Sequence, residues 1–263
     1  MRLAFTWGVL RRETMMNTRT LSPHEVTEFL SRLPMFSGVS EEQLQPFAAA
    51  AQQRQLEKGA TLYEEGDDAT HFYVLLKGWA KLSHSTADGN EVVIAMHSCR
   101  DVLGEYALFE EHTYKNSANV IEPLVFLSIP TDLLDREIEN TPRITRNLLA
   151  GIVKCQRRHE QQSIQHMLYD AAERIGSFIL GQLPPELQRD GATISLPYDK
   201  SLVAATLGMR GATFSRGLRT LRDKTGIAVE GNKVMVKSIA RLEKYAGPCR
   251  HHSYPVEKKS CLT

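Results

Sequence analysis

The chain has 263 residues, 42% of them hydrophobic and 24% charged, with a formal net charge of +1. That length admits two domains with real cores, and no apolar run is long enough for a membrane-spanning helix. Four cysteines, Cys99, Cys155, Cys249 and Cys261, are scattered without a CxxC pair. They argue against a disulfide framework or a zinc ribbon, and for a reducing cytoplasm.

Residues 1–20 read as a disordered N-terminal arm, of which residues 1–16 are too short and interrupted for a signal peptide, with Met15 or Met16 as candidate starts. Ser22-Pro23-His24-Glu25 has the form of a capping box with proline at the first helical position. Val26, Phe29, Leu30 and Leu33 then supply one apolar face. Ser40 to Gln43 repeats the box ahead of Leu44, Phe47 and Ala48. From Gln55 to Ile129 the pattern changes to short runs. Leu62-Tyr63, Phe72–Leu76, Trp79–Leu82, Val92–Met96 and Leu124–Ile129 read as strands, punctuated by Gly59, Gly66, Gly78, Gly89 and Gly104. Many short strands with regular turns predict a jelly roll or barrel over residues 21–140.

Thr141-Pro142 opens a long helix, read to about Gln165 and taken with its flanks as a unit over 141–166. A heptad seam runs Thr145, Leu148, Ile152, Cys155, His159, Gln162, His166. It is apolar in its first half and polar in its second. Such a seam suits a parallel homodimer, with Leu148, Ile152, Cys155 and His159 facing the two-fold mate; packing on the chain's own barrel is the alternative. Asp170-Ala171-Ala172-Glu173 is another capping box, so a break near Leu168–Asp170 forms a hinge before a helix carrying Ile175, Phe178 and Ile179. Pro184-Pro185 closes that helix.

Asp199 to Asp223 reads as two short helices with a tight turn between them. Asp199 caps the first, Leu202, Val203 and Leu207 share a face, and Gly208 supplies the left-handed stop. Phe214, Leu218 and Leu221 face the core from the second, opposite Ala212 and Arg216, with Arg219 toward the flank. Ile194–Leu196 reads as a strand before this pair and Ala228–Val236 as a hairpin after it, turning at Gly231-Asn232. The unit over 167–246 is therefore a winged helix-turn-helix, against the plainer reading of a helical hairpin. Lys200 to Lys244 holds ten Lys/Arg against three Asp/Glu, a net +7 in a chain of +1, which leaves −6 elsewhere. Positive charge thus collects where a polyanion would bind. Residues 247–263 lack periodicity and read as a tail. The fold class is α+β.

The run Thr213-Phe214-Ser215-Arg216, followed by the wing, resembles the DNA-binding helices of the CRP/FNR family of bacterial transcription regulators. Leu56–Leu82 and the Gly104-Glu105…Leu108-Phe109 segment resemble cyclic-nucleotide-binding domains. The resemblance implies a homodimer on a palindromic site in double-stranded DNA, and RNA polymerase as a partner if the protein is an activator. It implies base contacts at Gly211, Ala212, Ser215 and Arg216, with Thr213 beside them and Arg210 and Arg219 on phosphate. It also implies an effector pocket at Gly104, Glu105, Asn116, Ser117 and His159. In that family a glycine-glutamate pair and an arginine-serine pair hold the ribose and the cyclic phosphate. Here the arginine position is Asn116, or Lys115 under another gap placement, and the adenine positions fall on His159 and Glu160. The expectation is therefore an effector other than cyclic AMP; a cyclic-nucleotide-responsive regulator with a divergent phosphate site is the alternative.

Iron–sulfur sensing needs an N-terminal cysteine cluster, and no cysteine precedes Cys99. The overall pattern resembles the nitric-oxide-responsive branch, which implies haem as a cofactor. His71, His84, His97, Cys99, His112, Cys155, His159 and His166 are its candidate ligands, and His159 is the best placed. A competing class is a cupin metalloenzyme, but no His-x-His pair occurs in the chain. No nucleophile motif or phosphate loop is visible either, and no enzyme is expected.

Overall fold

The computed structural model describes residues 19–86, 91–183, 189–195, 200–231 and 233–247. The readings made for residues 1–18, Gly89, Pro184-Pro185, Leu196, Asp199, Asn232 and the tail after Gly247 lie outside them. Helices α1 (Pro23–Ser31) and α2 (Glu41–Ala50) begin at the two predicted capping boxes, and both boxes are formed. The Ser22 hydroxyl accepts from the Glu25 N–H, and the Ser40 hydroxyl from that of Gln43. Phe29, Leu30, Leu44 and Phe47 are buried as their spacing requires.

Strands β1 (Gln52–Leu56), β2 (Thr61–Tyr63), β3 (His71–Ser85), β4 (Glu91–His97), β5 (Val102–Leu103) and β6 (Ser117–Pro130) form one antiparallel sheet. Its main path is β1-β6-β3-β4, with β2 on β6 and β5 on β3. Here the sequence reading needs correcting: the runs Phe72–Leu76 and Trp79–Leu82 are one strand. Gly78 does not end it. With φ of +93° the glycine makes a bulge where the register against β6 slips, and a Cβ there would collide with the Pro123 carbonyl. Alternation along β3 splits two cores. Phe72, Val74 and Leu76 face the helices, while Tyr73 and Leu75 face the inside of the roll with Leu62, Leu103 and Phe126.

Helix α3 (Thr131–Asn140), unforeseen in the sequence, leads into α4 (Pro142–Leu168). Helix α4 continues past Gln165, and the predicted seam holds only in part: Ile152 is exposed, but Leu148 is not. Ile144 and Leu148 pack into the chain's own core with Leu133 and Leu134. The apolar side chains left exposed are Leu149, Ile152, Val153, Ile164, Met167 and Leu168. Leu148 is thus removed from the candidate dimer contacts. Cys155 and His159 turn toward the sheet, as the cavity described below shows.

Helix α5 (Ala171–Gly181) starts at the Asp170 capping box, so the predicted break is present. Strand β7 (Ala192–Ser195), helices α6 (Lys200–Thr206) and α7 (Gly211–Thr225), strands β8 (Ala228–Glu230) and β9 (Lys233–Val236), and helix α8 (Ile239–Ala246) complete the chain. The small sheet has the order β7-β9-β8. Two glycines let α5 cross its neighbours closely. A Cβ at Gly217 of α7 would stand 3.0 Å from Ile175 Cδ1, and one at Gly176 of α5 would stand 2.8 Å from Ala246 Cβ. Trp79 and Met96 of the large sheet join the core of this unit. Cys99 is buried in the core, and Cys155 on α4 is free.

Candidate nucleic-acid interface and effector cavity

The helix pair is built as its sequence directs. Gly208 has φ of +63°, and the N–H groups of Gly208 and Met209 return to the carbonyls of Ala205 and Ala204, closing α6. Arg174 of α5 donates from Nη1 to the Leu207 carbonyl at 3.3 Å, tying this turn to the hinge helix. The His166 ring, in the last turn of α4, lies against the same turn. A Cβ at Gly208 would be 3.0 Å from its Cε1.

Phe214, Gly217 and Leu221 of α7 are buried, so its other face is free. Arg210, Gly211, Ala212, Ser215, Arg216 and Arg219 are all exposed and Thr213 is half-buried. Arg222 pairs with Asp223 at 3.8 Å; among the described residues Arg210, Arg216 and Arg219 enter no ion pair. Arg210 is the N-cap without a side-chain cap bond, so the first amides of α7 remain open to an acceptor. Lys233 and Lys237 are exposed on and just after β9. An exposed helix face bearing Arg210, Arg216 and Arg219 beside the lysines of the wing matches the shape and sign of a DNA groove.

A cavity of about 280 Å³ lies between the large sheet and α4. Tyr63, Leu82, Met96, Leu103 and Tyr114 make much of its wall, and Tyr63 stacks on Tyr114 with ring centroids 3.9 Å apart. Gly104 turns the chain there with φ of +85°. A side chain would meet Tyr114 at 2.9 Å, so glycine is required twice over. Tyr114 donates its hydroxyl to the His71 carbonyl at 2.5 Å, and burial pushes the phenols of Tyr63 and Tyr114 far up. Burial likewise pushes the Glu105 carboxyl up to about 8, with nearby Asp101 adding to the rise. Glu105 is therefore mostly a neutral donor at pH 7.

Of the five predicted pocket residues, Gly104, Glu105, Asn116 and His159 line this cavity. Ser117 does not, because its hydroxyl accepts the Glu65 N–H at 3.0 Å instead. Lys115 lines the cavity as well and pairs at long range with Glu111, 3.8 Å away. Cys155, assigned from the sequence to the dimer seam, is a wall residue. The sequence reading missed Tyr63, Tyr106, Tyr114 and Thr206. The three tyrosines carry no spacing signal, since Tyr63 ends β2, Tyr106 lies in the short helical turn after Gly104 and Tyr114 in the loop before β6. Thr206 belongs to α6 of the helix-turn-helix, yet it closes one side of the cavity.

A helix-turn-helix with an open charged face, joined by one long helix to a sheet that encloses a small-molecule cavity, defines an effector-sensing DNA-binding regulator. The comparisons agree. The cyclic nucleotide-binding domain family matches residues 53–141, and the Crp-like helix-turn-helix domain family matches residues 173–245. The CRP-like cAMP-activated global transcriptional regulator of Mycobacterium tuberculosis is 24% identical over 226 residues, covering 83% of this chain and 99% of that protein. The global nitrogen regulator of Synechococcus elongatus is 26% identical over 192 residues, covering 69% of this chain and 84% of that one. The structure of FixK2 from Bradyrhizobium japonicum superposes with a TM-score of 0.64 at 21% identity, covering 75% of this chain and 98% of that one, and supports the fold. The chain belongs to the CRP/FNR family of transcription regulators. Members of this family are regulators and not enzymes. No helix among the described residues is long and apolar enough to cross a membrane.

Proposed function

We propose that the protein is a homodimeric, cytoplasmic regulator that binds a two-fold-symmetric DNA site and is controlled by a nucleotide-sized effector in the cavity against α4. The observation that carries the reading is that one helix, α4, both walls the cavity and touches the helix-turn-helix turn at Gly208. An effector that repositions α4 would bias the separation of the two recognition helices. Arg216 reads a base, while Arg210 and Arg219 hold phosphate. The exposed stripe Leu149–Ile152–Val153–Ile164–Met167 forms the dimer contact.

A cyclic nucleotide is the effector class with the most support, from the matched domain family and from a relative named as cAMP-activated. Lys115 and Asn116 would then serve the phosphate in place of an arginine. The comparisons lend nothing specific to a gas or to the nitric-oxide-responsive branch. Haem draws no specific support either: the cavity is about 280 Å³, and His159, its best-placed candidate ligand, contacts Cys155.

Selection from random DNA, followed by calorimetry with cyclic AMP and cyclic GMP, tests the reading. The expected results are a palindrome with half-site centres roughly 34–36 Å apart, and a nucleotide that tightens or loosens its binding. A lone asymmetric half-site would overturn the dimer reading, and no heat with either nucleotide would overturn the effector class.

A further inference from the structure

The cavity holds a group of side chains that neither the fold nor DNA recognition uses. Cys155 and His159 lie one turn apart on the cavity face of α4, with Sγ 3.8 Å from Nε2. Tyr106 arrives at the same place from the turn after Gly104. Its hydroxyl lies so close to α4 that a Cβ at Gly151 would stand 2.7 Å from it. Burial pushes the Tyr106 phenol up to about 12, so it remains a donor at neutral pH. Cys155 is free and exposed, as a reacting thiol must be. Independently of the thiol, the half-buried Glu105 lines the cavity, and among the described residues its carboxyl accepts only from its own amide.

We propose that Cys155 is a nucleophile that captures enones, small α,β-unsaturated carbonyl compounds, in this cavity, and that the adduct changes DNA binding. The proposal rests on the cavity being the effector site. Tyr63, Leu82, Met96 and Tyr114 suit the hydrocarbon part of such a molecule, and the donors Tyr106 and Glu105 suit its carbonyl oxygen. In the tautomer with Nε2 bare, His159 takes the Cys155 thiol proton. Sulfur forms a bond to the β-carbon of the enone, and the C=C electron pair moves to the carbonyl oxygen. The resulting enolate accepts a hydrogen bond from the Tyr106 hydroxyl. The proton on His159 returns to the α-carbon. The product is a saturated thioether, with no net oxidation or reduction and no leaving group.

The test uses the full-length protein and 2-cyclohexen-1-one at pH 7, with labelled cysteines mapped by mass spectrometry. Cys155 should react roughly 10–100-fold faster than free cysteine at the same pH, in line with an oriented general base. His159→Gln and Tyr106→Phe should each slow the labelling in proteins whose melting shows them folded. The wild-type rate-against-pH curve should also differ from that of free cysteine. DNA affinity, measured on an operator selected by the unlabelled protein, should change by about 5–150-fold on labelling and stay constant in labelled-condition controls of Cys155→Ser. Labelling at the free-cysteine rate, or an unchanged rate in His159→Gln, would overturn the nucleophile assignment. Labelling that leaves DNA affinity unchanged would overturn its regulatory half. Nucleotide calorimetry on the unmodified protein separates either failure from a failure of the effector-site reading itself.

Discussion

Leu148 and Leu149 are neighbours on α4 with opposite surroundings: Leu148 is 3% exposed within the chain's own core, and Leu149 is 58% exposed. Successive residues on an α-helix are about 100° apart, so a one-residue shift moves an apolar stripe from the sheet side to the open side. Leu148→Ala should therefore lower stability by about 2–5 kcal/mol, read by chemical denaturation, without changing the association of the folded protein. Val153→Glu should leave stability of the folded chain nearly unchanged and dissociate the dimer, because a charge entering an apolar contact has no partner. Sedimentation showing Val153→Glu still dimeric would place the dimer contact elsewhere.

The exposed arginines of α7 should separate by role. Arg216 keeps a planar fork that fits guanine O6 and N7, worth about 1–3 kcal/mol of discrimination. Arg216→Ala is expected to erase preference at one base pair per half-site. Arg219→Ala should weaken operator and scrambled DNA alike and flatten the salt dependence by about one phosphate. Titrations of both variants on both DNAs check this; equal losses on the two sequences for Arg216→Ala would make it a phosphate clamp.

Glu105 should give the folded protein a distinct pH response. Burial raises its carboxyl from an ordinary value of 4.5 to about 8, so between those values the folded state holds a proton that the unfolded state has released. Stability from this group is complete below pH 4.5, falls as pH rises, and is level again above about 8. The slope is at most about 1.4 kcal/mol per pH unit. Glu105→Gln removes it and should melt higher than wild type at pH 8, with the two converging toward pH 5. Parallel melting curves across that range would show that the carboxyl is already ionised in the folded protein.

At Gly208 two costs coincide, a left-handed φ of +63° and the neighbouring His166 ring. Gly208→Ala should lose about 1–2 kcal/mol from the backbone alone, plus the contact term. Adding His166→Ala should recover only the contact term. A double-mutant cycle with zero coupling would show that α4 does not press on this turn.

Much of the fold was legible because its signals are local. The capping boxes at Ser22, Ser40 and Asp170 all close, and Gly208 and Gly104 take the left-handed backbone that glycine permits. What failed depended on distant partners. Gly78 looked like a strand boundary, but only the approach of Pro123 from β6 shows it to be a bulge inside one strand. Helix α3 follows β6 directly, with Pro130 at its N-cap and no side-chain cap bond, so no capping signal announced it. The seam of α4 was ambiguous because Leu148-Leu149 and Ile152-Val153 offer apolar residues to both faces. The exposed face of α7 followed from its periodicity. The cavity did not, since its tyrosines and Thr206 come together from four separate segments.

Thr206 of α6 forms part of the cavity wall, so a small molecule bound there would touch the same helix pair that carries the candidate DNA face. Thermodynamic reciprocity then binds the two ligands. By whatever factor the small molecule alters affinity for the operator, the operator alters affinity for the small molecule. A cell in which most copies sit on chromosomal sites would therefore respond at a different effector concentration from one in which most are free. The threshold of the response would be set in part by how many operators the chromosome carries.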